Sequence, residues 1–140
     1  MIHRTIYIRG RWRVDVFIDN GNLDIDEVMD RLVDMGASYQ AMEQCYKMME
    51  RGVMNEAFTY SNGRNTCIYI GATTSGEEFL NSVVHELRHL IDHIADYYGL
   101  GNGEAVGYLS GDMAFALADD ICTLGCSHCR ETFLLTKNTK

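Results

Sequence analysis

Apolar positions recur along this chain with two periods, which alternate from one segment to the next. Residues 2–8 alternate weakly, and Trp12, Val14, Val16 and Ile18 alternate well against Arg11, Arg13, Asp15 and Asp19, a period of two that predicts strands. Arg9-Gly10 between them reads as a tight turn, so the two runs predict a hairpin that Asn20-Gly21-Asn22 closes. The period then becomes helical. Asp24 and Glu27 have capping-box spacing, and Ile25, Val28, Met29, Leu32 and Met35 share one side before Gly36 stops the helix. Ser38 caps a second short helix, whose expected buried stripe is Tyr39, Met42, Tyr46 and Met49 and whose end lies near Gly52. Methionines at helical spacing read as core filler, so neither helix is assigned chemistry. A period of two returns over 54–61 and 64–71 around Asn62-Gly63, a strong hairpin signal. In this hairpin Thr66, Ile68 and Ile70 face one side while Cys67 and Tyr69 face the other.

The longest helical pattern follows over 75–98. Ser75 and Glu78 have capping-box spacing, and Gly99 stands where a left-handed C-terminal cap belongs. Phe79, Leu80, Val83, Val84, Leu87, Leu90, Ile91, Ile94 and Tyr98 form one apolar stripe, about 140° wide at 100° per residue. His85 and His89 lie opposite the stripe and are not core histidines. Four residues apart on a helix, they share a face and are separated by roughly 6 Å along the axis, so both imidazoles can bind one ion. Zn²⁺ takes such nitrogens readily. Glu86 flanks the same face, where it can hold and deprotonate a water on the metal. Shuffling this composition yields about 0.01 matches to His-Glu-x-x-His per chain, so a bare match is common across many chains and the helical context has to decide. An ordinary solvated face shared with Glu78, Asp92 and Asp96 is the alternative.

His85-Glu86-Leu87-Arg88-His89 is the HExxH signature of the zincin metallopeptidases, and residues 75–118 resemble that family. They are most similar to its gluzincin branch, including small bacterial and phage proteins and the regulatory peptidases of the ImmA/IrrE type. The resemblance implies that a glutamate on the next helix completes the metal site, which points to Glu104 in Asn102-Gly103-Glu104-Ala105-Val106-Gly107-Tyr108. Gly103, Gly107, Gly111, Ala114 and Ala118 share a narrow stripe beside Glu104 and are expected to let the two helices approach closely. Tyr108, one turn on, is the candidate to stabilise the oxyanion, with a structural tyrosine the alternative. It also stands where thermolysin-like members place an orienting aspartate, which leaves Asp112 as a candidate for that second role. The metzincin pattern is broken by Asp92 and Ala95. His93 lies roughly 12 Å along the axis from His85, too far to share the ion easily, and stands either at a cleft rim or on the surface. By the same resemblance, one strand of 54–71 is expected to pair with extended substrate.

Composition narrows the setting. The 140 residues fit one domain, with strands and two short helices over 1–71, the metal-site helices over 75–122 and a frayed tail at 135–140. A net charge of −8 argues against binding a phosphate backbone. Arginines interrupt the N-terminal apolar residues, so neither a signal peptide nor a membrane span is expected, and the predicted location is cytoplasmic. With five cysteines and that location, disulfides are not expected. Cys122, Cys126, His128 and Cys129 either hold a second, structural metal or are free thiols at a helix end. The expectation is an α+β, zincin-like domain with a small antiparallel or mixed sheet packed on the metal helix. The expected activity is a zinc-dependent metallopeptidase, with His85, His89 and Glu104 as ligands and Glu86 as general base. A peptide or protein is the expected substrate, nucleic acid and membrane are not expected partners, and the oligomeric state is left open, a monomer being compatible with the reading. Two other classes remain open, a zincin-fold protein that binds peptide without cutting it, and a zinc hydrolase of a non-peptide amide.

Overall fold

The alternating segments are strands and the helical-period segments are helices in the computed structural model, which describes residues 1–101 and 103–125. Strands β1 (Ile2–Ile8) and β2 (Trp12–Ile18) form the first hairpin, and Arg9 and Gly10 both take positive φ at its turn. Helices α1 (Ile25–Asp34) and α2 (Tyr39–Arg51) follow, then the hairpin of β3 (Ala57–Asn62) and β4 (Asn65–Ile70). β4 returns to lie parallel to β2, pairing Arg13 with Asn65 through to Ile18 with Ile70, so the four-stranded sheet is mixed and ordered β1-β2-β4-β3. A parallel pair requires a crossover, and α1 and α2 supply it. The remaining elements are α3 (Gly76–Tyr98), α4 (Glu104–Ala116) and α5 (Ala118–Gly125). The architecture is α+β. No described helix is long and apolar enough to cross a membrane.

The helix ends follow their signals. Asp24, Ser38 and Ser75 each accept a hydrogen bond from the backbone N–H three residues on, and Gly52 and Gly99 adopt the left-handed C-cap conformation. Capping of this kind is worth about 1 kcal/mol per helix, but burial of the apolar faces holds the helices in place.

Both faces of the sheet are covered. Val14, Val16, Ile68 and Ile70 pack with Phe79, Val83, Leu90, Ile91 and Ile94 of α3 on one side. On the other side Phe17, Cys67 and Tyr69 meet Val28 and Leu32 of α1 and Ala41, Cys45 and Met49 of α2. Each of the Val, Ile, Leu, Phe and Met side chains among these, fully buried, contributes roughly 1.5–3 kcal/mol. The face of α2 differs from the expected stripe. Tyr39 and Tyr46 are exposed, and the smaller Ala41 and Cys45 seat the helix instead. Two tyrosines can stand in solvent with their hydroxyls wet, whereas small side chains let the α2 backbone come close to the sheet.

Covering the second face also buries the polar side of β2. Asp15 is fully buried and accepts hydrogen bonds from Thr5 Oγ1 at 2.8 Å, Arg13 Nε at 3.0 Å and Arg31 Nε at 2.6 Å, with His3 Nε2 at 2.9 Å. Burial pushes its pKa up, but the hydrogen bonds from His3, Thr5 and Arg13 and the charge of Arg31 outweigh that, and the net shift is downward. The carboxylate therefore ties β1, β2 and α1 together as an ionised group.

The faces of α3 and α4 are turned from expectation. Leu80, Val84 and Tyr98 are exposed, whereas Ser82 and Glu86 are buried, because β3 lies against that flank of α3. On α4 the core residues are Leu109 and Met113, joined by Leu117. Among the described residues a Cβ built on Gly103, Gly107 or Gly111 has no neighbour within 4 Å, so these glycines do not make the close helix approach expected of the stripe there. Arg4 forks onto Asp120 through Nε at 3.1 Å and Nη2 at 3.0 Å and fixes α5 to β1.

Candidate metal centre

Helix α3 presents His85 and His89 to solvent one turn apart, as their spacing requires. Their Nε2 atoms converge to 3.1 Å, with the rings nearly perpendicular at 79°. Two nitrogens bound to one tetrahedral Zn²⁺ at about 2.0–2.1 Å stand roughly 3.3 Å apart, so the pair already has nearly the required separation. The carboxylate of Glu86 completes a group whose ligand atoms all lie within 4.8 Å of one another, and no other such group occurs among the described residues. The two imidazoles are donors that suit zinc, and the Glu86 carboxylate stands close enough to act on a water beside such an ion.

Glu86 itself is 5% exposed. A buried carboxylate must be hydrogen-bonded to be tolerated, and the Thr59 hydroxyl on β3 donates to its Oε2. A second contact across the same seam joins Ser61 Oγ to His93 Nδ1 at 2.6 Å. Ser61 is in turn 2.7 Å from Thr66 Oγ1, which accepts from Trp12 Nε1 at 2.9 Å. His93 is therefore half-buried and anchored to the core. Burial, then the neighbouring His89, lower its pKa and favour the neutral ring. Its ring centroid is 6.5 Å from that of His89, one turn further along the same helix.

A cleft of about 350 Å³ opens beside the histidines, lined by His85, Glu86, Asn81, Asn55, Glu56 and Ala57 among others. Its wall is the start of β3, an edge strand with one side unpaired in the sheet. The hairpin expectation named both strands of 54–71; β4 is interior and β3 is the one with a free edge.

The other named residues stand apart from this cluster. Glu104 is exposed at the first position of α4 and is not in the group of three. Tyr108 is 63% exposed on α4 and does not line the cleft, and Asp112 is exposed on the same helix. α4 begins beside Ile94 and Tyr98, at the far end of α3 from His85. Of the C-terminal thiols, Cys122 is half-buried and free, whereas Cys126, His128 and Cys129 lie outside the described residues, as does the tail at 135–140. Thr59 and Ser61 were not singled out from sequence, although the alternation Ala57, Thr59, Ser61 marks one face of a strand.

Comparison with protein-family models, curated proteins and solved structures returns no match.

Proposed function

We propose that the protein is a zinc-dependent hydrolase of the zincin type that cleaves an amide bond in a peptide lying along β3. The observation that carries this reading is the 3.1 Å convergence of His85 and His89 Nε2 beside the Glu86 carboxylate. Zinc, which His85 and His89 would hold, would supply Lewis acidity and make water acidic enough to attack near neutral pH. Glu86, steadied by Thr59, takes the proton of the attacking water and passes it to the leaving amine. The free edge of β3 offers backbone N–H and C=O groups that pair with an extended peptide.

Glu104 is the proposed third ligand. Glu104 stands at the first position of α4, and among the described residues nothing lies within 4 Å of a Cβ built on Gly103 or Gly107 beside it, so no packed neighbour occupies that side of the helix start. The experiment is zinc stoichiometry and affinity of wild type beside Glu104→Ala and His89→Ala. The proposal expects one zinc per chain, lost in His89→Ala and bound much more weakly in Glu104→Ala. Unchanged affinity in Glu104→Ala sends the third position to Asp96 or His93, and no zinc in the wild type after reconstitution ends the hydrolase reading.

A second reading, a zinc-bound protein that holds peptide without cutting it, is favoured by the distance of Tyr108 from the cleft lining. It predicts peptide binding with no turnover by wild type.

A further inference from the structure

Away from the metal face, a cavity of about 450 Å³ lies between the tip of the β1–β2 hairpin, the last turns of α3 and the first turns of α4. Its walls are apolar, formed chiefly by Trp12, Ile94, Tyr98 and Leu109, and Arg9 and Arg11 stand at its rim. A space of this size with apolar walls and few convergent polar groups is the usual form of a small-molecule site.

Arg9 and Arg11, like Arg64, lack the carboxylate partner that the other described arginines have. Net charge is −8, and Arg4, Arg13, Arg31, Arg51 and Arg88 are each paired with a carboxylate. The side chains of Arg9 and Arg11 have no ion-pair or hydrogen-bond partner among the described residues, and both residues are exposed. Asp112 lines a separate depression on the other side of Arg9 without pairing with it. Arg9 also holds a φ of +51°, a left-handed conformation that asparagine or glycine takes at lower cost.

We propose that this cavity binds an amphipathic monoanion, an apolar chain or ring bearing one carboxylate. The apolar body lies against Trp12, Ile94 and Leu109, and the guanidinium groups of Arg9 and Arg11 take the carboxylate, whose planar geometry matches theirs. A head group with a single charge is favoured over a phosphate dianion because the acidic remainder of the protein repels the second charge.

Trp12 is the only tryptophan and lines the cavity, so its fluorescence reports occupancy directly. The full chain is titrated with decanoate in the presence of a metal chelator, beside decanol, decyltrimethylammonium and decyl phosphate. Decanoate is expected to give a saturable change at one per chain, at least about tenfold tighter than the uncharged or cationic probes. Arg9→Gln/Arg11→Gln should weaken decanoate about tenfold and leave decanol unchanged. His85→Ala/His89→Ala should bind decanoate as wild type does, which separates this site from the metal centre. Ala105→Phe, on the exposed first turn of α4, should fill the space and abolish the response with the far-UV spectrum intact. A non-saturable change, equal affinity for the cation, or an unaltered decanoate isotherm in the double arginine variant would overturn the proposal. Tighter binding of decyl phosphate than of decanoate would overturn the monoanion assignment.

Discussion

The hydroxyl of Thr59, on the edge strand, donates to the buried carboxylate of Glu86, on the helix that carries both histidines. One short seam thus joins the strand proposed to receive substrate to the residue proposed to move the proton. Thr59→Val keeps the shape and removes the donor. Zinc stoichiometry is expected to stay the same while kcat falls about 10- to 100-fold with KM little changed, as for loss of a group that orients another. A rise in KM at constant kcat would instead place Thr59 in substrate binding.

Glu86→Gln separates metal binding from chemistry. The amide still fits beside Thr59 but cannot accept a proton, so the variant should retain zinc and lose roughly 10²–10⁴ in turnover. Full activity in Glu86→Gln would remove it as general base.

Asp15 should govern acid stability. Its folded pKa is lowered, so its contribution is complete above the unfolded aspartate range and is lost as pH falls through the folded value. Asp15→Asn leaves the buried Arg31 guanidinium without its counter-charge and should cost about 3–5 kcal/mol at neutral pH. Urea midpoints followed from neutral to acid pH should fall steeply in wild type and more gently in the variant. Equal acid slopes would show that Asp15 is not the group being titrated.

Gly71 is required by close approach. A Cβ there would stand 2.7 Å from the backbone oxygen of Glu56, which already accepts the Gly71 N–H at 2.9 Å. Gly71→Ala must push back the residues leading into β3, at about 1–3 kcal/mol, or roughly 4–12 °C in Tm. Because Glu56 and Ala57 line the cleft, zinc-dependent peptide binding should weaken in the same variant. A variant with wild-type Tm would show that the loop yields without cost.

Much of this arrangement is written in local pattern. N-caps at Asp24, Ser38 and Ser75, the turn at Asn62-Gly63 and the one-turn spacing of His85 and His89 each specify geometry within a few residues, and each is realised. What pattern misses depends on distant neighbours. The burial of Glu86 follows from β3 lying against one flank of α3, and helical periodicity alone ranks Glu86 as polar and Leu80 as core. Asp15 reads as a solvated residue on an amphipathic strand until α1 is known to cover that face. On α4, Leu, Met, Tyr, Phe, Gly and Ala surround the helix with little amphipathic contrast, so the sequence offers no clear inner face, and the placement of Glu104 could not be read from it.

The parallel pairing of β2 with β4 separates two processes in time. Thr59, Ser61, His85, Glu86, His89 and His93 come from one uninterrupted stretch, a hairpin followed by a helix, and can meet through short loops. The strand that braces this stretch arrives from the other side of two helices, and closing that larger loop is the slower step. The histidine face therefore has the connectivity of an early-forming unit, and the N-terminal hairpin that of a late clamp. Destabilising β2 should chiefly hasten unfolding, whereas destabilising the β3–β4 hairpin should slow folding itself.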